Sequence, residues 1–231
     1  RAEQLALLHG ALAGALEGHG RIVILSGEAG VGKTSLLREF AASGPARTKF
    51  CWGGCEALFT PRPLGPLQDM AQMIGPEVTD LLDLAAAQDR IFPALLKTLQ
   101  KPPLCHVLIF EDVHWADNAT LDLIKYLGRR VGMMKTVLVL SLRSDEIGAS
   151  HPLAQVLGEF AMAQAVEEHQ RDALPLVRVE RVQTTPDARG ALRELEPSQR
   201  IALARCAETF DARVVERVDA DAMQPFMAVR V

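Results

Sequence analysis

The sequence predicts an α/β fold in which a parallel sheet is flanked by helices. Short, continuously apolar runs alternate along the chain with longer segments whose apolar residues recur at helical spacing. Strands that alternate with helices in this way form parallel sheets through right-handed crossovers. In addition, residues suited to chemistry directly follow the apolar runs, at Gly27, at Glu111-Asp112 and at Arg143. The carboxyl ends of parallel strands share one edge of a sheet, so a single site can collect these residues.

Each predicted strand is a short apolar or β-branched run. The run Ile22-Val23-Ile24-Leu25 is apolar on both faces, as a central parallel strand should be. The predicted strands are Arg21–Ser26, Lys49–Gly53, His106–Phe110, Thr136–Leu142 and Leu176–Val182.

Helices are predicted from apolar spacing and from capping residues. Leu5, Leu8 and Leu12 lie one helical turn apart, and Asp117 or Asn118 can cap the helix that follows the third strand. Three prolines make residues 56–66 an irregular connection. The predicted helices cover residues 2–18, 35–43, 67–74, 78–99 (with a new helix starting at Pro93), 117–131, 151–165, 187–195 and 198–209. We divide the chain into a core, residues 1–182, and a helical extension, residues 183–231, which would form part of a lid.

Composition narrows the class of protein. The chain has 231 residues, of which 48% are hydrophobic and 23% charged, as in an ordinary globular protein. A formal net charge of -4 gives no electrostatic footprint for nucleic acid or an anionic membrane. The sequence shows neither a membrane span nor a signal peptide, so we expect a cytoplasmic protein. It opens with Arg1 rather than Met, and we expect a fragment of a longer protein.

One motif dominates the sequence. The octet Gly27-Glu28-Ala29-Gly30-Val31-Gly32-Lys33-Thr34 follows the first predicted strand and, with Ser35, opens a helix. This is the pattern and the context of a phosphate-binding loop. Glycines let backbone N–H groups turn toward a polyphosphate, Lys33 can reach the outer phosphates, and the Thr34 hydroxyl can ligate Mg²⁺. The alternative is a turn before an ordinary helix.

Two further strand ends carry candidate catalytic groups. Glu111 and Asp112 terminate the third strand, where one carboxylate can hold Mg²⁺ and the other can polarise an attacking water. Their alternative role is to cap the next helix. Arg143 ends the fourth strand and is placed to sense or stabilise a γ-phosphate; alternatively, it forms a surface salt bridge with Asp145 or Glu146.

His114 and Trp115, which follow these acids after Val113, are open to interpretation. His114 is suited either to reading the γ-phosphate or to a structural hydrogen bond, and Trp115 is better suited to packing than to stacking on a base. The alternatives remain open at this point.

The combined motifs resemble a known family. The octet, the segment Glu111-Asp112-Val113-His114-Trp115-Ala116-Asp117 and the segment Leu142-Arg143-Ser144-Asp145-Glu146 are similar to those of the AAA-related ATPases of the STAND class. The segment Gly54-Cys55-Glu56-Ala57-Leu58-Phe59-Thr60-Pro61 is also typical of that class. Within it, the resemblance is strongest to the ATP-binding domains of large LuxR-type transcriptional regulators and covers roughly residues 1–165.

The resemblance implies a five-stranded sheet of order 5-1-4-3-2, binding of ATP (or ADP) and Mg²⁺, and slow hydrolysis used as a switch. It implies that Arg1 lies near the adenine and that Arg143 is the sensor arginine. Pro225, in a segment that partly matches the family's Gly-Asn-Pro-Phe loop, would also lie near the nucleotide. Self-association is left open, and DNA would be bound only through domains outside this chain.

The sequence therefore favours an ATP-dependent switch, a slow Mg²⁺-dependent ATPase in which Glu111 holds the metal and Asp112 acts on the water. A small-molecule kinase with the same loop is a second hypothesis. A non-hydrolysing interaction module that binds ATP as a structural ligand is a third.

Overall fold

The computed structural model describes residues 1–101, 104–148, 150–167 and 177–179. Its centre is a parallel sheet with four long strands: β1 (Arg21–Ser26), β2 (Thr48–Gly54), β3 (Cys105–Glu111) and β4 (Thr136–Leu142). They lie in the order β2-β3-β4-β1, and every pairing is parallel. The predicted α/β class and the 1-4-3-2 part of the strand order are therefore confirmed.

A short fifth segment lies on the other side of β1. Residues Val177–Val179 form a three-residue strand, β5, that pairs in parallel with β1. The prediction covered Leu176–Val182, so a full fifth strand stays a prediction beyond these three residues. The predicted helical extension, residues 183–231, lies outside the described residues, and the division into two domains is not tested.

Seven helices are described. Their bounds are α1 (Ala2–Leu16), α2 (Lys33–Ala42), α3 (Gly65–Ile74), α4 (Pro76–Asp83), α5 (Gln88–Leu99), α6 (Asn118–Gly128) and α7 (Pro152–Glu167). Short 3₁₀ turns lie at Val113–Trp115, Val131–Met133 and Ser144–Glu146.

The helices cover both faces of the sheet, because each strand sends alternate side chains to opposite sides. On one face, residues such as Ile22, Leu108 and Leu138 pack against α3 to α7. On the other, their sequence neighbours, such as Val23 and Val107, pack against α1 and α2. Two apolar layers therefore enclose the sheet, which explains why its strands read as continuous apolar runs.

For residues 78–99, the predicted position of the break between two helices was wrong. The chain leaves the helix at Leu84–Ala87, where Ala85 has a φ of 46°, and α5 then continues through Pro93. Pro93 is the sixth of the twelve residues of α5, so its missing N–H costs one hydrogen bond inside the helix but does not end it.

Two helix ends also differ from the prediction. Helix α3 begins at Gly65, within the predicted irregular connection, with a proline in its first turn, where a missing N–H has no intrahelical partner to lose. Helix α6 ends at Gly128 and is followed by a 3₁₀ turn at Val131–Met133. Its predicted cap is confirmed, because the Asp117 carboxylate accepts from the Thr120 N–H at 3.1 Å.

One glycine fixes the packing of α3 on the sheet. A Cβ added to Gly53 would lie 2.1 Å from the carbonyl oxygen of Pro66, whereas one added to Gly54 would meet no atom within 4 Å. The backbones of β2 and α3 thus approach each other at Gly53 more closely than any side chain permits. Among the described residues, every helix is too short or too polar to cross a bilayer.

Candidate nucleotide-binding site

The glycine-rich loop joins the end of β1 to the start of α2. Gly30 and Gly32 have φ values of 74° and 97°, in the left-handed region that glycine adopts without strain. The space beside both residues is open, since an added Cβ would meet nothing within 4 Å. The first N–H groups of α2 have no intrahelical partners, and residues 28–30 of the loop that precedes the helix are exposed. The loop therefore offers backbone donors to an anion.

The Lys33 side chain is folded back over this loop. Its Nζ donates to the carbonyl oxygens of Gly27 at 2.7 Å and Glu28 at 2.9 Å. The residue is only 8% exposed. Burial lowers the pKa of Lys33, and the charge of nearby Asp112 partly opposes that shift. The ammonium group is thus held inside the loop by neutral oxygens, with acidic groups close by.

Thr34 and Glu111 connect the loop to the end of β3. The Thr34 hydroxyl donates to Oε1 of Glu111 at 2.6 Å. Oε2 of the same carboxylate accepts from the indole Nε1 of Trp52, also at 2.6 Å. Each oxygen of Glu111 therefore has its own donor, one from α2 and one from β2.

Asp112 lies where the chain turns out of β3. Its backbone is left-handed, with φ 52° and ψ 46°, a region that few residues other than glycine occupy. Its N–H donates to the Ser141 hydroxyl on β4 at 3.1 Å. The turn separates Asp112 from Glu111, so the two adjacent acids have different surroundings. Backbone strain of this kind is concentrated at functional sites.

Arg143 is paired with Glu146 at the end of β4. Its Nη1 lies 2.6 Å from Oε1 of Glu146, and its guanidinium lies 4.7 Å from the centre of the Trp115 ring. Trp115 also donates its indole N–H to Oε2 of Glu146 at 3.0 Å. The hydrogen bond with Arg143 lowers the pKa of the Glu146 carboxyl. The predicted salt-bridge alternative is thus the contact that Arg143 makes in this structure.

His114 is a buried histidine behind this pair. Its Nδ1 accepts from the backbone N–H of Arg143 at 3.4 Å, and its Nε2 lies 3.4 Å from Oε2 of Glu146 without hydrogen-bond geometry. Burial lowers the pKa of His114, which favours the neutral ring. With Nδ1 as acceptor, the proton of the neutral ring belongs on Nε2. In this conformation His114 supports the backbone at the end of β4.

The structure brings most of the predicted residues together. Glu111, Asp112 and Arg143 all contribute to the electrostatic environment of Lys33. Ser35 is exposed in the first turn of α2. Arg1 lies at the surface, where its Nη2 is 2.8 Å from a carboxylate oxygen of Glu39 on α2.

One predicted residue lies outside the described part of the chain, and two residues near the site were not predicted. Pro225 is not among the described residues, so its predicted place near the nucleotide is not tested. Sequence reasoning missed Trp52 and Ser141, both of which hold the acidic segment. A usable signal existed for Trp52, because it is a hydrogen-bond donor near the end of the strand that neighbours β3.

The side chains present fit a magnesium-bound nucleotide. A hydroxyl and a carboxylate 2.6 Å apart are hard oxygen groups of the kind that Mg²⁺ accepts. Within the described ranges no group of three or more His, Cys, Asp or Glu residues is arranged to hold a metal. Mg²⁺ usually binds one or two protein oxygens together with substrate phosphates, so this arrangement suits it.

The fold is that of a P-loop NTPase, with the glycine loop after β1 and an acid at the end of β3. The family model of the AAA ATPase domain matches residues 1–140. The chain belongs to this family, and membership of the family implies nucleotide binding. No curated protein sequence matches the chain significantly.

Several solved structures have a distantly similar fold. The ORC1 protein of Aeropyrum pernix in complex with DNA is 19% identical, with 94% of this chain and 60% of that chain covered and a TM-score of 0.46. Drosophila ORC bound to AT-rich DNA and Cdc6 is 14% identical, with 90% and 72% covered and a TM-score of 0.38.

A STAND protein with a tetratricopeptide repeat sensor, from Pyrococcus horikoshii, is 16% identical, with 88% and 34% covered and a TM-score of 0.35. The chain thus spans 60% of the first of these three proteins and about a third of the last. All three likenesses are too distant to bear on function, and the family assignment rests on the AAA ATPase match.

Proposed function

We propose that this domain binds ATP together with Mg²⁺ and hydrolyses it slowly, as the nucleotide-dependent switch of a signalling or transcription-regulating ATPase. The observation that carries the proposal is the 2.6 Å hydrogen bond between Thr34 and Glu111. It joins the hydroxyl of the glycine loop to the acid at the end of β3, the two groups that a metal bound beside the phosphates needs. Membership of the AAA ATPase family supports the same reading.

In this proposal the loop binds the phosphates and the lysine neutralises them. The backbone N–H groups of residues 30–35 would bind phosphate oxygens, and Lys33 would exchange its two carbonyl partners for them. Thr34 and Glu111 would hold Mg²⁺, which supplies charge stabilisation for phosphoryl transfer when bound.

Asp112 would polarise the attacking water. Its backbone leaves the extended conformation of β3, and the hydrogen bond from its N–H to Ser141 holds that turn. Arg143 would stabilise the γ-phosphate after exchanging its ion pair with Glu146 for the phosphate. Exchange of Arg143 between a carboxylate and a phosphate would give the switch a moving part.

The resemblance to STAND ATPases and LuxR-type regulators supports the signalling part of the proposal. Under it, Arg1 and Pro225 would lie near the adenine, and residues 183–231 would form a helical extension to a core of residues 1–182. DNA would be bound by other parts of a longer protein.

The test is calorimetric titration of ATP in Mg²⁺ and in EDTA, followed by assays of phosphate release with and without small-molecule acceptors. Binding that strengthens in Mg²⁺, with slow phosphate release, is the expected result. Transfer of phosphate to an acceptor would identify a kinase, and Mg²⁺-dependent binding without release would identify a non-hydrolysing module. ATP affinity that is unchanged by EDTA would contradict the metal site.

A further inference from the structure

Trp52 reaches from β2 to the acid at the end of β3. In the parallel register of these strands, Glu111 lies opposite Gly54, two residues beyond Trp52. The Trp52 indole N–H donates to Oε2 of Glu111 at 2.6 Å, while Oε1 accepts from Thr34 at the same distance. The carboxylate is therefore held from two sides by two different elements.

This contact differs from ordinary packing of an aromatic ring. The body of Trp52 is half-buried against the apolar layer that α1 and α2 cover. The indole nitrogen, its one polar side-chain atom, can donate a hydrogen bond but cannot accept one, and it donates to a carboxylate oxygen of Glu111. Hydrogen bonds to ionised groups are shorter and stronger than neutral ones. The indole therefore fixes the orientation of Glu111 as well as filling space.

We propose that Trp52 is a positioning residue for the magnesium site. With Oε2 bound by the indole, Oε1 is turned toward Thr34, and the threonine hydroxyl donates its proton to it. That hydroxyl keeps its lone pairs, so it remains able to ligate a cation. Trp52 thus prepares both oxygen groups before the nucleotide arrives.

The inference rests on the proposed function, because a positioning role requires Thr34 and Glu111 to hold Mg²⁺. Groups that orient metal ligands typically contribute about 10- to 100-fold to metal affinity. A role in packing alone would instead weaken folding without a selective effect on the metal.

The first experiment compares Trp52→Phe, which lacks the donor, with Trp52→Gln, which restores an N–H at similar reach. Phe50→Leu is the matched control, since Phe50 lies on the same face of β2 and packs on the same apolar layer. The measured quantity is the Mg²⁺ concentration at which half of the metal-dependent increase in ATP affinity is reached. We expect Trp52→Phe to raise this concentration by about 10- to 100-fold. The affinity in EDTA should not change, Trp52→Gln should recover part of the loss, and Phe50→Leu should behave like the parent.

A second readout needs neither nucleotide nor metal. The chain has two tryptophans, so an ¹H–¹⁵N spectrum shows two indole signals, which Trp52→Phe assigns. We expect Glu111→Gln to move the Trp52 indole proton upfield and to speed its exchange with solvent, because the partner loses its charge. Asp112→Asn is the neighbouring control and should leave that signal near its parent position.

The proposal is overturned if Trp52→Phe keeps the parent's Mg²⁺ dependence, or if Glu111→Gln leaves the Trp52 indole signal unmoved. A loss of equal size in Mg²⁺ and in EDTA would assign Trp52 to packing and would also overturn it. Failure of the proposed function looks different, because the parent itself would then show no effect of Mg²⁺ on ATP binding. In that case the positioning role falls as well.

Discussion

Replacing Thr34 by valine isolates a single atom of the site. Valine has nearly the same shape, so the packing of α2 is kept while the 2.6 Å hydrogen bond to Glu111 is lost. Water reaches this partly exposed carboxylate and can replace the hydroxyl in the nucleotide-free protein. We therefore expect the free energy of unfolding to fall by less than about 1 kcal/mol.

The effect on metal-dependent binding should be much larger. The variant loses the proposed oxygen ligand for Mg²⁺ and the donor that holds Oε1 of Glu111. An interaction of a polar group with a charged one contributes about 1.5–3 kcal/mol, which corresponds to about 10- to 150-fold in affinity. This loss should appear only in the presence of Mg²⁺, since the backbone donors and Lys33 are untouched.

The assay is calorimetric titration of ATP into the parent, Thr34→Val, Thr34→Ser and Ser35→Ala, each in Mg²⁺ and in EDTA. Thr34→Ser keeps the hydroxyl and should stay within a few-fold of the parent, and Ser35→Ala removes only an exposed neighbouring hydroxyl. If Thr34→Val bound ATP in Mg²⁺ as tightly as Thr34→Ser, the hydroxyl would have no metal role. Equal losses in both buffers would instead indicate damage to the loop.

Other expectations follow from the two acids and from the close approach of β2 to α3. Asp112→Asn tolerates the left-handed backbone and should keep Mg²⁺-dependent ATP binding while hydrolysis falls by about 10²- to 10⁴-fold. Glu111→Gln should weaken the metal-dependent binding, and the opposite pattern would show that the two roles are exchanged. Gly53→Ala places a methyl group 2.1 Å from the Pro66 oxygen and should lower stability to urea by about 1–3 kcal/mol. Gly54→Ala should change it by less than about 0.5 kcal/mol, and equal midpoints would refute the close approach.

The strands were predictable because burial on both faces leaves an unbroken apolar signal. The fourth strand was predicted over Thr136–Leu142 and has those bounds, and all seven residues are buried. The third was predicted over His106–Phe110 and extends one residue further at each end. The ends of such runs can therefore be located from the sequence as well. For this reason Glu111 and Arg143 could be assigned to one edge of the sheet.

The helical region between β2 and β3 was harder to predict. Its break depends on Ala85, which adopts a left-handed conformation that its residue type does not favour. Leu84, at the end of α4, is 76% exposed although it continues the apolar pattern. Pro93, the strongest local signal for a break, is accommodated inside α5. Tertiary packing, rather than local preference, sets these boundaries.

The contacts of the site residues depend on which elements become neighbours in the fold, and the sequence alone does not show this. The contact joins Trp52 to Glu111, 59 positions further along the chain, and it requires the register of the two strands that carry them. The pairing of Arg143 with Glu146 was foreseen only as an alternative, because a local ion pair and a phosphate compete for the same guanidinium. Local motifs thus predicted which residues lie together at this edge of the sheet, and the folded chain determined how they are held.

The measurement that tests the central claim most directly is ATP binding by Lys33→Ala in Mg²⁺, compared with the parent. Lys33 is the one buried cation of the glycine loop, held by the Gly27 and Glu28 carbonyls, whereas Lys135 is exposed and Lys135→Ala serves as the control. Loss of a charge-assisted contact worth about 1.5–3 kcal/mol predicts affinity at least tenfold weaker in Lys33→Ala and unchanged in Lys135→Ala. Equal affinity of Lys33→Ala and the parent would contradict the assignment of this loop to ATP.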